Sequence, residues 1–165
     1  MPKSEHQVIR LRPATDRDVA AILELEIASF ARVEERFNRR RVQDLIKNPR
    51  AIALVAESKG KVPGWAVGLL RSHKESNSGR IYAVAVHPDA RGKRIGQRLV
   101  GRIIHSLVMR GAGRIYLEVH ADNRGAINLY RKLGFIVQGY LADYYGPGHH
   151  GLRMMRPATI RHTPS

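Results

Sequence analysis

The sequence predicts an α/β fold: a single domain with a central mixed, mostly antiparallel sheet and helices on both faces. Three observations predict it. Apolar runs with strand character and stretches of helical spacing follow one another in the order β-α-α-β-β-β-α-β-α-β-β. The strand-like runs that begin at Arg80 and Arg114 each lead through a helix into another strand, as strand–helix–strand units do. The chain has 165 residues and is 43% hydrophobic, which suits one core and one domain, residues 1–158, followed by a loose tail, 159–165.

Each element has its own signal. Residues 8–12 (VIRLR) alternate apolar and basic side chains and read as a strand that Pro13 stops. Thr15 and Asp18 resemble a capping box with an acid in place of the usual Glu; Val19, Ile22, Leu23 and Ile27 carry a helix to about Phe30. A second helix is expected over 34–47, bearing Arg36, Arg39, Arg40 and Arg41 and ended by Asn48 and Pro49. The strand 51–56 (AIALVA) turns at Lys59-Gly60-Lys61 into a strand over 64–72. A polar loop, 75–79, precedes the strand 80–87 (RIYAVAVH), which ends at Pro88.

From Ile95, the residues Leu99, Val100, Ile103, Ile104, Leu107 and Val108 keep helical spacing until Gly111 and Gly113. Residues 114–120 (RIYLEVH) form another strand, and 123–133 a short helix that Gly134 caps. The last strands, 135–141 and 152–156, flank a loop at 143–151.

Composition excludes several chemistries. With no cysteine, the chain has no disulfide, thiolate metal site or cysteine nucleophile, and a reducing cytoplasm is the simplest setting. Residues 1–11 contain no long apolar run, so neither a signal peptide nor a membrane span is expected. The formal net charge of +15 attracts polyanions such as nucleic acid or phosphate-rich cofactors and repels polycationic substrates. It also serves solubility alone. His149 and His150 lack a partner spacing for metal and read as a solvated loop.

Two stretches carry chemistry. In 84–99 (VAVHPDARGKRIGQRL) a buried strand passes through a basic, glycine-bearing loop into an amphipathic helix. The first turn of a helix presents unpartnered N–H groups and partial positive charge, and glycine lets a phosphate come close to them. Arg91, Lys93 and Arg94 add charge at that point, so the loop suits a pyrophosphate; a basic strand-to-helix turn without a ligand fits the same residues. It is neither a P-loop nor a dinucleotide fingerprint, because both glycine patterns are absent. In 116–135 (YLEVHADNRGAINLYRKLGF) a strand delivers Glu118, and the next helix presents Asn123 and Tyr130, about two turns apart and on one face.

Together these stretches resemble the signature of the GCN5-related N-acetyltransferases. That family's Arg/Gln-x-x-Gly-x-Gly/Ala loop for the coenzyme A pyrophosphate is matched by Arg91, Gly92, Lys93, Arg94, Ile95 and Gly96, with Arg94 where glycine is usual. An arginine there is expected to take an ordinary right-handed conformation. Residues 117–135 resemble the protein N-terminal branch, typified by the ribosomal-protein-alanine acetyltransferases.

The resemblance implies acetyl-CoA as co-substrate and no metal. It implies that Val84, Ala85 and Val86 offer backbone groups to the pantetheine and thioester. The loop through Gln97 would hold the pyrophosphate, and Asn123 would bond the pantetheine arm. Glu118 would be the general base, through water or directly, provided burial raises its pKa toward the working pH. Tyr130 would be the acid that protonates the thiolate. Tyr144 and Tyr145 resemble the loop that clasps peptide N-termini. The residues alone also allow Glu118 as a structural strand residue, Asn123 as a helix cap, Tyr130 as core and the tyrosine loop as a plain hairpin. His120, two residues beyond Glu118 on the same strand face, is a possible proton relay.

The leading function is therefore acetyl transfer to the α-amino group of a protein N-terminus, a ribosomal protein being one such acceptor, by a cytoplasmic monomer or homodimer. The alternatives are a small-molecule amine or amino-acid acetyltransferase, and a non-catalytic CoA- or RNA-binding module. The Arg36–Arg41 cluster lies where the family shapes its acceptor site and could recognise acidic groups, approach ribosomal RNA, or form a solvated helix face. No membrane partner is expected, and nucleic acid is not the primary one.

Overall fold

Period-two alternation decides how the sheet is covered. In β2 (Ala51–Ser58), Ile52, Leu54 and Ala56 enter one core while Val55 enters the other, so both faces of the strand are dry. The computed structural model describes residues 8–158; residues 1–7 and the expected tail, 159–165, lie outside the described residues. The remaining elements are β1 (Arg10–Pro13), α1 (Val19–Ser29), α2 (Arg39–Lys47), β3 (Lys61–Ser72), β4 (Asn77–Val86), α3 (Ile95–Met109), β5 (Ala112–His120), α4 (Arg124–Lys132), β6 (Ile136–Leu141) and β7 (Gly151–Pro157). Their order is the expected one.

The seven strands form one sheet in the order β1-β2-β3-β4-β5-β7-β6. Only the central neighbours β4 and β5 run parallel; the other pairs are antiparallel. The helix α3 crosses one face against β2 to β5, while α1 and α2 cover β2 to β4 on the other. The helix lies close to β3 because that strand carries glycine under it. A Cβ at Gly68 would stand 2.6 Å from Ile103 Cγ2, and one at Gly64 2.8 Å from Ile95 Cγ2.

Several expected boundaries move; β3 begins at Lys61 instead of Gly64, and β5 at Ala112 instead of Arg114, so that Gly113 lies in the strand. The helix expected over 34–47 is only α2. Glu34 lies in one 3-10 turn, Val33–Glu35, and the chain then runs extended to Asn38, whose side chain caps α2 by accepting from Arg41 N at 2.8 Å. Burial causes the break: the Phe37 ring meets Trp65 edge-on at 5.9 Å, and Phe37 N bonds the buried Glu26 carboxylate. Arg36 therefore leaves the arginine face of α2 and donates to Phe30 O at 2.7 Å. The segment expected as a loop over 75–79 already belongs to β4 from Asn77, which pairs with Ser72. Pro13, expected just beyond the end of the strand, is the last residue of β1, which an outer strand tolerates. The expected capping box is present, with Thr15 N donating to Asp18 Oδ2 at 2.8 Å.

Candidate functional site

The parallel strands β4 and β5 pair only from Asn77 to Ile81 on one side and from Ala112 to Leu117 on the other, with a register shift between Asn77 and Ser78. Beyond that the strands part, and the edge of β4 facing β5 has no strand partner. Unpaired backbone N–H and C=O groups need other partners. Two adjoining cavities occupy this gap, of about 460 and about 600 Å³. Phe30, Val84, Asn123, Ala126 and Tyr130 line both, so the two spaces meet at these side chains.

The larger cavity is bounded by Val84, Ala85 and Val86 on the strand and by Arg91, Gly92, Arg94, Ile95, Gly96 and Gln97 at the start of α3. Lys93 is outside that lining. The loop is built by two left-handed residues, Gly92 at φ 81° and Arg94 at φ 60°. The expectation of a right-handed Arg94 is thus overturned: the N-cap residue sits at φ 60°, ψ 21°, the conformation glycine takes without strain. The reason is geometric, since the chain must turn from the extended Arg91 (φ −66°, ψ 154°) into α3 within a few residues. Open amides at the first turn of a 15-residue helix, three flanking basic residues and an unpaired strand edge fit a diphosphate joined to an amide-bearing arm.

Tyr130 comes from the buried face of α4, is 8% exposed and packs edge-on against Phe135 at 5.9 Å. Burial raises its phenol to about 12. Asn123 caps α4, its Oδ1 accepting from Ala126 N at 3.1 Å, so the capping alternative is real and places the residue at the junction of the cavities.

On the other side of this junction Glu118 lies in the wall of the smaller cavity and is 7% exposed at its side chain. Its Oε1 is held by Arg80 Nη2 at 2.5 Å and by Arg153 Nε at 3.2 Å. The buried carboxylate is therefore compensated from both neighbouring strands. Tyr144 and Tyr145 also line this cavity, edge to face at 4.9 Å, and the Tyr144 hydroxyl accepts from Arg80 at 3.3 Å. Burial, first among several causes, raises the Tyr145 phenol. His120 stacks on Tyr145 and shares a 2.8 Å hydrogen bond with Glu35. His150 is hydrogen-bonded within its own loop, to Asp143 N at 3.0 Å.

Sequence reasoning missed Glu35, Arg32, Tyr82 and Arg153. Glu35 meets His120 across 85 positions, and no local spacing signals that. Arg153 is the register partner of Glu118 across β5 and β7, a pairing that only the folded sheet shows. Among the described residues no group of three or more His, Cys, Asp or Glu is arranged to hold a metal ion, and no helix is long and apolar enough to cross a membrane.

A family model described as the acetyltransferase (GNAT) family matches residues 19–135. An acetyltransferase of Pectobacterium atrosepticum is 38% identical over 82 residues, 50% of this chain and 55% of that protein. An N-alpha-acetyltransferase of Arabidopsis thaliana is 33% identical over 103 residues, 62% of this chain and 54% of that protein. The chain thus spans about half the length of the curated relatives it matches. Among solved structures, a ribosomal-protein-alanine N-acetyltransferase from Brucella melitensis is similar with a TM-score of 0.75 and 25% identity, over 90% of this chain and 99% of that one.

Proposed function

The chain belongs to the acetyltransferase (GNAT) family, and from that premise we propose that it transfers acetyl from acetyl-CoA to the α-amino group of a protein N-terminus. One observation carries the reading: the cavity beside the α3 loop and the cavity beside Glu118 meet at Asn123 and Tyr130. A carrier in the first and an amine in the second would have their reacting atoms side by side, and such positioning supplies much of the acceleration.

The roles follow from the walls. The α3 loop, with Arg91, Gly92, Arg94, Ile95, Gly96 and Gln97 in the wall and Lys93 beside them in sequence, holds the diphosphate; the free edge of β4 at Val84, Ala85 and Val86 bonds the pantetheine; and Asn123 adds an amide at the junction. Glu118 receives the proton of the attacking nitrogen. A nitrogen bonded to an acyl carbon as a cation is far more acidic than a free ammonium, so it gives up its proton readily to the carboxylate that Arg80 and Arg153 hold in place. The proton reaches the carboxylate directly or through one water.

Tyr130 holds a proton for the departing thiolate. Against a thiol near ~8.5, a phenol at about 12 makes complete transfer cost about 5 kcal/mol in water terms. The same burial raises the thiolate's proton affinity, because both groups are anionic when deprotonated. Tyr144 and Tyr145 clasp the incoming peptide. The names of the Arabidopsis and Brucella relatives support an N-terminal acceptor, a ribosomal protein among the candidates, and the lack of cysteine suits a cytoplasmic setting.

The test is a thiol-release assay with acetyl-CoA and short peptides beside spermidine and free amino acids. Peptide turnover that collapses in Glu118→Gln and Tyr130→Phe supports the assignment. Turnover with small amines alone removes the peptide acceptor, and tight salt-sensitive RNA binding without turnover would favour a binding module.

A further inference from the structure

Tyr82 of β4 is met by three guanidinium groups. Arg80 lies 5.4 Å and Arg41 5.9 Å from its ring centroid, and Arg71 donates to its hydroxyl. Attraction to the ring's negative face favours the first two contacts at such distances. It does not remove the mutual repulsion of like charges drawn to one side chain. An anion placed among them would.

Two of the three, Arg71 and Arg80, also line a groove that leaves out Arg41 and Tyr82. This groove, beyond Glu118 and of about 350 Å³, is lined by Arg71, His73, Arg80, Gln138 and Arg153, with Glu118 the one acid among its lining residues. Three guanidiniums face one carboxylate, so positive charge is in excess even with both Glu118 ion pairs formed. Glu118 belongs to this groove and to the acceptor cavity alike. A chain whose first residue occupies the cavity and which continues past Glu118 therefore runs into the groove.

We propose that this groove is an acceptor subsite for a carboxylate, so that the favoured acceptor peptide carries Asp or Glu among the few residues after its acetylated terminus. The inference rests on the N-terminal acceptor reading above and sharpens it. An extended peptide advances about 3.3 Å per residue, so the acid's position is itself readable. The alternation of side chains along a strand means that one position, or two positions separated by one residue, should respond.

The experiment walks a single Asp, against Asn as its neutral isostere, through positions 2 to 5 of one peptide and measures thiol release. At the responsive position the Asp peptide should exceed the Asn peptide about tenfold in kcat/KM, carried by KM, as one charge-assisted contact gives. The ratio should shrink at high salt. Arg71→Ala should bring it toward one, and Arg71→Glu should reverse it in favour of a Lys peptide. Unchanged acetyl-CoA affinity would certify that both variants are folded. Equal rates for Asp and Asn at every position, or a preference that survives Arg71→Glu, would overturn the subsite while leaving N-terminal acetylation standing. Turnover of free amines with no peptide turnover would instead remove the acceptor reading itself, and the subsite with it.

Discussion

The His120 imidazole lies flat on the Tyr145 ring, centroids 3.8 Å apart and planes 14° from parallel. From the other side Glu35 bonds His120 at 2.8 Å, and Arg32 reaches from the same loop to Tyr145 O at 2.9 Å. The α1–α2 loop and the β6–β7 loop are thereby latched together beside the smaller cavity, the proposed acceptor site.

Loosening this latch should cost acceptor binding more than chemistry. His120→Ala and Glu35→Gln are each expected to raise the peptide KM about tenfold, the worth of one partly buried charged hydrogen bond. The affinity for acetyl-CoA should not move, which calorimetry can check. A fall in kcat at constant KM would make His120 a participant in proton transfer instead.

Tyr130→Phe should lower kcat by about 10²- to 10³-fold, within the usual contribution of a positioned acid. Because burial lifts the phenol to about 12, Tyr130 stays protonated through the working range. The alkaline limb of the wild-type pH–rate profile should then show no loss attributable to this group below about pH 11. An alkaline inflection near pH 9 that vanishes in Tyr130→Phe would contradict both the burial effect and the assignment.

The element order was legible because each helix and strand carries its own period and its own stop signal. The proposed cofactor half of the site was legible for the same reason: a phosphate loop is a local object, here the stretch between Arg91 and Gln97. The acceptor half was not. Glu118 was visible, but its ion pairs come from β4 and β7, and strand adjacency is a property of the sheet rather than of any window of sequence. The latch joins Glu35 to His120, in segments that helical periodicity had merged into one long helix or left unpaired. Where the period was followed too far, at 34–38, tertiary burial of Phe37 against Trp65 prevailed over local propensity.

Glu26 gives a stability signature. It is 1% exposed, and its carboxylate accepts from Trp65 Nε1 at 2.9 Å and from Phe37 N at 3.3 Å. Burial raises its carboxyl above the ordinary range more than these donors lower it. In the window between the unfolded value near 4.5 and the raised folded value, the folded chain holds a proton that the unfolded chain has lost. The contribution of Glu26 is therefore complete below the window and declines as pH rises through it. Wild type should lose melting temperature relative to Glu26→Gln between pH 4 and pH 7. Asp18, held low by Arg12, works in the opposite sense: its contribution is present above 3.8 and lost as pH falls. Parallel melting curves for wild type and Glu26→Gln would refute the buried, protonatable carboxyl.

Arg94 offers the sharpest test of the cofactor loop, because two substitutions remove the same charge and differ in backbone freedom. At φ 60° the arginine Cβ is crowded against its own carbonyl, a strain of about 1 kcal/mol that alanine would keep and glycine would relieve. Part of the relief returns to the unfolded chain, which gains entropy with glycine. Arg94→Gly is still expected to melt above Arg94→Ala, by up to ~2–4 °C for a domain of this size. Both variants lose one guanidinium beside the proposed diphosphate site, so both should bind acetyl-CoA about tenfold more weakly than wild type. Glycine should also rank above alanine in that affinity if the left-handed turn is what aims the amides. Identical melting temperatures and identical affinities for the two variants would mean that the loop is not held in this conformation, and that the N–H groups of α3 are not what grips the carrier.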